Sequence, residues 1–123
     1  MPFTPRTNAL PGIAKKTITT SEGIKVDHVK LEPGVVGEAI NGSKILINKG
    51  VSKNGELYRR AVAHESLHAR EMARGQISYS ENSVRDNGSE YPRKNGKIKY
   101  NGKWHPEGSH VFPWEKRAVK AEK

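Results

Sequence analysis

Cysteine is absent from all 123 residues, so no disulfide can staple the fold and no thiolate can hold a metal; coordination would fall to imidazole and carboxylate. Apolar side chains are scarce too. Hydrophobic residues make up 33% of the chain, which limits it to one small domain with a modest core. No apolar run has the length of a membrane helix or of a signal-peptide core, and the start, Met1-Pro2-Phe3-Thr4-Pro5-Arg6, is polar. The expectation is a chain made in the cytoplasm without a signal peptide, which lysis, a secretion machine or a virus particle could carry further. Negative charge is also short: 13 acidic residues face 22 Lys and Arg, a net charge of +9. That surplus favours contact with nucleic acid, acidic cell-wall polymer or an acidic protein surface. Nucleic acid ranks last of these, because no groove-reading module or ordered aromatic platform is present.

What is present divides unevenly. Residues 1 to about 20 carry Pro2, Pro5 and Pro11 with little apolar periodicity and read as an extended arm, able to dock onto a larger assembly. Residues 21–123 read as one domain. From Gly23 to Leu31 alternation suggests a strand, Pro33-Gly34 a turn, and Val35-Val36 and Lys44 to Asn48 two further strands, with Asn41-Gly42 as a hairpin turn. A small antiparallel sheet is the economical result. A helix follows, with Asn54 as its expected cap and Gly75 as its stop; Leu57, Ala61, His64 and His68 share one face. Residues 78 to 108 are polar and punctuated by Asn87-Gly88, Asn95-Gly96 and Asn101-Gly102, and read as a long loop region with a short strand at Lys97 to Tyr100. Pro113 suits the first position of a short C-terminal helix. The expected class is α+β.

The helix contains His64-Glu65-Ser66-Leu67-His68. Four residues is a little over one turn, so both imidazoles leave the same face and can grip one ion while Glu65 reaches a water bound to it. That spacing points to a zinc hydrolase. Hydrolytic zinc usually takes three protein ligands and keeps one position for water. Glu115, His105, His110, Glu90 and Asp86 are candidates for the third. Glu115 is favoured, since it lies near the start of a helix that can pack across the motif, and Ala118 on the same face lets the two helices approach. A developing oxyanion needs a further donor, for which Tyr100, His105 and His110 rank ahead of Tyr91 and Arg93. Glu71, Asp86 or Glu90 could accept the second N–H of a ligating histidine.

The pairing of Ala63-His64-Glu65-Ser66-Leu67-His68-Ala69-Arg70 with a downstream Pro113-Trp114-Glu115-x-x-Ala118 resembles the compact gluzincin metallopeptidases, including minimal single-domain members found beside phage and secretion genes. Ala39 to Asn48 is similar to the strand before the motif helix in that group, along whose edge a peptide is laid. The similar parts run from about residue 35 to the C-terminus. The resemblance implies His64, His68 and Glu115 as zinc ligands, Glu65 as general base, and a peptide or peptidoglycan-type substrate. The chain departs from larger gluzincins in lacking a second subdomain, and its residues 78–110 have no counterpart there. The competing expectation is a structural component of a virus particle or secretion apparatus that carries a metal site. His28 is expected to be a packing or surface residue, Trp104 and Trp114 to be packing residues, and Lys15-Lys16, Arg59-Arg60 and Arg93-Lys94 to be solvated unless they cluster in space.

Overall fold

Ile45, Leu46 and Ile47 form an unbroken apolar run and are all buried, as befits a central strand covered on both faces. In the computed structural model, which describes residues 17–123, that strand is the fourth of a first sheet: β1 (Thr17–Thr19), β2 (Lys25–Val29), β3 (Gly37–Asn41) and β4 (Lys44–Asn48), in the order β1-β2-β4-β3. β3 and β4 are the expected hairpin. β4 returns between β3 and β2 and runs parallel to β2, so the sheet is mixed rather than purely antiparallel. Val35 and Val36 are not strand residues: the turn continues through a bond from Val35 N–H to the Glu32 carbonyl (3.0 Å), and β3 begins at Gly37. Thr17–Thr19, expected as the end of the arm, pair with β2 as an edge strand; the rest of the arm lies outside the described residues.

Helix α1 (Glu56–Ala73) lies on this sheet. Gly55, in an extended conformation, takes the cap position, so Asn54 lies one residue outside and makes no capping bond. The buried face carries Ala61, His64, Glu65, His68 and Ala69, and the two alanines let the helix settle on Ile45 and Ile47. Leu57, expected on that face, is 52% exposed. Tyr58 packs there instead, with its hydroxyl 2.7 Å from Nε2 of His28 on β2. His28 is accordingly a packing residue.

The stretch expected to be a long polar loop is a second sheet, a five-stranded meander of β5 (Ile77–Tyr79), β6 (Ser83–Asp86), β7 (Ser89–Lys94), β8 (Lys97–Tyr100) and β9 (Lys103–Pro106). Its last three turns are Asn-Gly pairs with positive φ at both residues, the geometry that matches strand twist in two-residue hairpins. Ile77, Val84 and Ile98 close a second core over Phe112 and Trp114, whose rings stack at 4.7 Å and 5°. Helix α2 (Pro113–Ala121) begins at its proline as expected. Trp114 is core; Trp104, also expected to pack, is 43% exposed. The class is thus α+β, with two sheets, a helix bearing the His-Glu-His group and a short C-terminal helix. Among the described residues no helix is long and apolar enough to cross a membrane.

Candidate metal centre

One turn of α1 sets the imidazoles of His64 and His68 beside each other, ring centroids 4.9 Å apart. Glu65 completes a buried group whose ligand atoms lie within 4.8 Å of one another, an arrangement that can hold a metal ion. From the other side, Glu115 in the first turn of α2 brings its carboxylate to the same point. Its Oε1 is 2.9 Å from Nε2 of His64 and its Oε2 is 3.3 Å from Nε2 of His68. All four residues are fully buried. Both Nε2 atoms therefore face one carboxylate, and Glu65 stands beside them with neither oxygen hydrogen-bonded among the described residues.

Three features place Glu115. Pro113 starts α2 two residues earlier, and the positive end of the helix favours an acid there. Ala118, fully buried, permits close approach to α1. Arg117 then binds the helix to its surroundings, gripping Glu71 of α1 (2.7 and 2.9 Å) and Asp86 of β6 (2.6 and 3.2 Å). At the far end of α2, Oε2 of Glu122 accepts from Nδ1 of His64 at 2.7 Å, which turns Nε2 toward Glu115. Arg59 ties down the same residue by donating to the Glu122 carbonyl at 2.6 Å. The carboxylate that orients His64 is thus Glu122. Glu71 and Asp86 serve Arg117, and Glu90 pairs with Arg85 at 2.7 Å.

Burial, and after it the charge of Glu115, push the Glu65 carboxyl well above its ordinary range. Glu115 also suffers from burial, but its hydrogen bonds to His64 and His68 and their charge outweigh this and hold it at about 2. Tyr79 of β5 feels the same surroundings: burial, then the charges of Glu115, Glu107 and Glu65, push its phenol well up. On the sheet side, a Cβ at Gly37 would meet Cγ of Glu65 at 3.1 Å and Cδ1 of Ile47 at 3.0 Å. The backbone of β3 therefore lies directly against Glu65, and a side chain there would push it aside.

The structure brings together His64, Glu65, His68 and Glu115. Tyr100, His105 and His110 gather elsewhere, around a surface cavity of about 710 Å³ with Lys103, Ser109 and Lys116, and none of the buried four belongs to its wall. Glu122, Arg117, Tyr79 and Gly37 were not foreseen. Only Glu122 had a legible signal, since Glu115, Ala118 and Glu122 are spaced i, i+3, i+7 on one helical face. No family model, curated protein or solved structure matches the chain.

Proposed function

We propose that the protein is a zinc-dependent metallopeptidase, with His64, His68 and Glu115 as ligands and Glu65 as general base. The observation that carries this reading is the convergence of two imidazole Nε2 atoms, one helical turn apart, on a single buried carboxylate. The donor set fits zinc: two nitrogens and one carboxylate oxygen without thiolate, the composition of hydrolytic sites that keep a position for water. The oxygens of Glu65, without a hydrogen bond among the described residues, fit it too, because a buried carboxylate so placed is costly unless a cation or a water compensates it.

Zinc so held would lower the pKa of bound water toward about 7 and polarise a carbonyl. Glu65 takes the proton of the attacking water and returns it to the leaving amine. Glu122 holds the His64 ring in its ligating orientation. Tyr79 of β5, partly buried with its hydroxyl turned inside and sensing the charges of Glu115 and Glu65, is the oxyanion donor of this reading in place of Tyr100, His105 and His110, which open onto the separate cavity. Among the described residues the outer edge of β3 is unpaired, and it is the edge along which an extended peptide would be laid. Cell-wall peptide is the substrate class we favour, since the wall is anionic and the chain strongly basic.

Zinc content of the purified chain, with hydrolysis of casein and of isolated walls measured with and without chelator, tests the reading. Glu65→Gln should retain zinc and lose about 10²- to 10⁴-fold in rate, while His68→Ala and Glu115→Ala should lose the metal. A wild-type chain without zinc, or a Glu65→Gln variant as fast as wild type, refutes it.

A further inference from the structure

The structure points to a second binding surface: we propose that the outer face of the second sheet docks a polyuronate chain, with Trp104 as its stacking platform and Lys94, Lys97 and Lys99 as its counter-charges. The inference does not rest on the metallopeptidase reading, because the surface belongs to the hairpins of β7, β8 and β9 and shares no residue with the candidate metal centre.

Strand register puts these side chains on one face. Lys99 is directly opposite Trp104, Lys97 is opposite Pro106, and Lys94 is opposite Lys97. Directly paired residues, and residues two apart on a strand, project from the same side of a sheet. Ile98 projects from the other side and is buried in the core, so the lysines and Trp104 look outward. Trp104 is 43% exposed. With Lys94, Asn95 and Lys97 it lines a cavity of about 340 Å³, on the scale of the smallest ligand clefts.

Charge on this face is not balanced internally. Arg85 and Arg93 of the same sheet are neutralised by Glu90 and Glu107. None of Lys94, Lys97 and Lys99 has an ion pair among the described residues. Between residues 91 and 110 five Lys and Arg side chains face a single acid, Glu107, and Arg93 already occupies it. An unbalanced cationic strip beside a solvated indole suits a partner that offers spaced negative charge and a flat apolar ring face.

The number of aromatic rings decides between polymers. Single-stranded nucleic acid is held by successive aromatic platforms under successive bases, and this face offers one. A polyuronate chain needs only one: a pyranose lays its C–H face on the indole, Asn95 can bond its hydroxyls, and the carboxylates of flanking sugars meet lysines about 7 Å apart along β8.

Polygalacturonate is the probe, titrated into the full-length chain with tryptophan fluorescence and calorimetry as readouts. Binding is expected, weakening about tenfold between about 50 and about 200 mM salt, whereas neutral dextran does not bind. Trp104→Ala should weaken it about tenfold and Trp104→Tyr far less, since tyrosine keeps a stacking ring. The triple variant Lys94→Gln, Lys97→Gln, Lys99→Gln should lose most of the affinity and its salt dependence, and Glu65→Gln should bind as wild type does. Failure of the wild type to bind, unchanged affinity in Trp104→Ala or in the triple variant, or tighter binding of oligo(dT) than of polygalacturonate would each overturn the proposal.

Discussion

Arg117 is where the candidate centre and the fold depend on the same side chain, and replacing it with methionine separates stability from metal affinity. Its guanidinium makes four hydrogen bonds, two to Glu71 and two to Asp86, at 2.6 to 3.2 Å. Glu71 and Asp86 are only 2% and 4% exposed. Methionine keeps much of the stem and removes the fork, leaving two buried carboxylates facing one another across the gap. Removing one partner of a buried ion pair costs about 3–5 kcal/mol. The Arg117 side chain is itself 29% exposed, so water can reach the gap, and the expected loss is about 2–4 kcal/mol. For a domain of this size that is a fall in Tm of about 8–16 °C, or about 1–2 M in urea midpoint, read by circular dichroism. Under the zinc reading the loss should be accompanied by weaker metal retention at temperatures where the variant is still folded, because α2 carries Glu115 two residues before the clamp. Arg117→Lys should recover part of the stability only, since an ammonium cannot serve two carboxylates through a planar fork. A loss under about 1 kcal/mol in Arg117→Met would refute the clamp.

Four further outcomes are expected. A Cβ at Gly42 would sit 2.8 Å from Cβ and 2.9 Å from Cα of Ala73, so Gly42→Ala should lower the urea midpoint by the equivalent of about 1–3 kcal/mol; an unchanged midpoint contradicts the close approach of the β3–β4 turn to α1. Burial would raise the Asp27 carboxyl, but bonds from Thr17 and Lys44 bring it below its ordinary value. Its contribution is therefore full above an unfolded pKa of about 3.9 and is lost as pH falls through the lower folded value; the wild type should exceed Asp27→Asn in stability near pH 6, and the gap should close in stronger acid. Under the zinc reading, Glu122→Gln should keep the fold and weaken metal affinity about 10- to 100-fold, and equal affinity would remove Glu122 from the site. Under the peptidase reading, Tyr79→Phe should leave zinc content unchanged and lower kcat by about 10²–10³, and an unchanged kcat removes Tyr79 from the chemistry.

β2, β4, the Asn41-Gly42 turn and both helices were legible because their signals are local, whereas β1 and the parallel pairing of β2 with β4 were not. Ile45, Leu46 and Ile47 are apolar, the isoleucines also β-branched, in a run of strand length bounded by turn residues, and Pro113 suits the first position of a helix. The second sheet was missed although its turns were visible. Three Asn-Gly pairs are the strongest short-range hairpin signal there is, but the strands between them are too polar to announce themselves. β8 buries Ile98 alone, β6 buries one apolar residue, Val84, and β7 has its Pro92 exposed. The missing apolar mass comes from outside the meander, since Phe112 and Trp114 fill the core that these strands could not build for themselves.

The same distinction explains what could be read of the site. His64, Glu65 and His68 belong to one helix, so spacing alone fixes their shared face. Glu115 lies on a second helix, and its meeting with them depends on Arg117 and Ala118. Arg117 in turn needs Asp86, which belongs to a strand of the unforeseen sheet. The meander therefore supports the centre: Asp86 of β6 supplies an anchor for α2. A fold with a loop in place of residues 78–108 would leave Arg117 with half of its partners and Trp114 without a bed. The polar segment that reads as a long loop in the sequence holds the distant carboxylate in register with the two imidazoles, while its outer face carries Trp104 and the lysines.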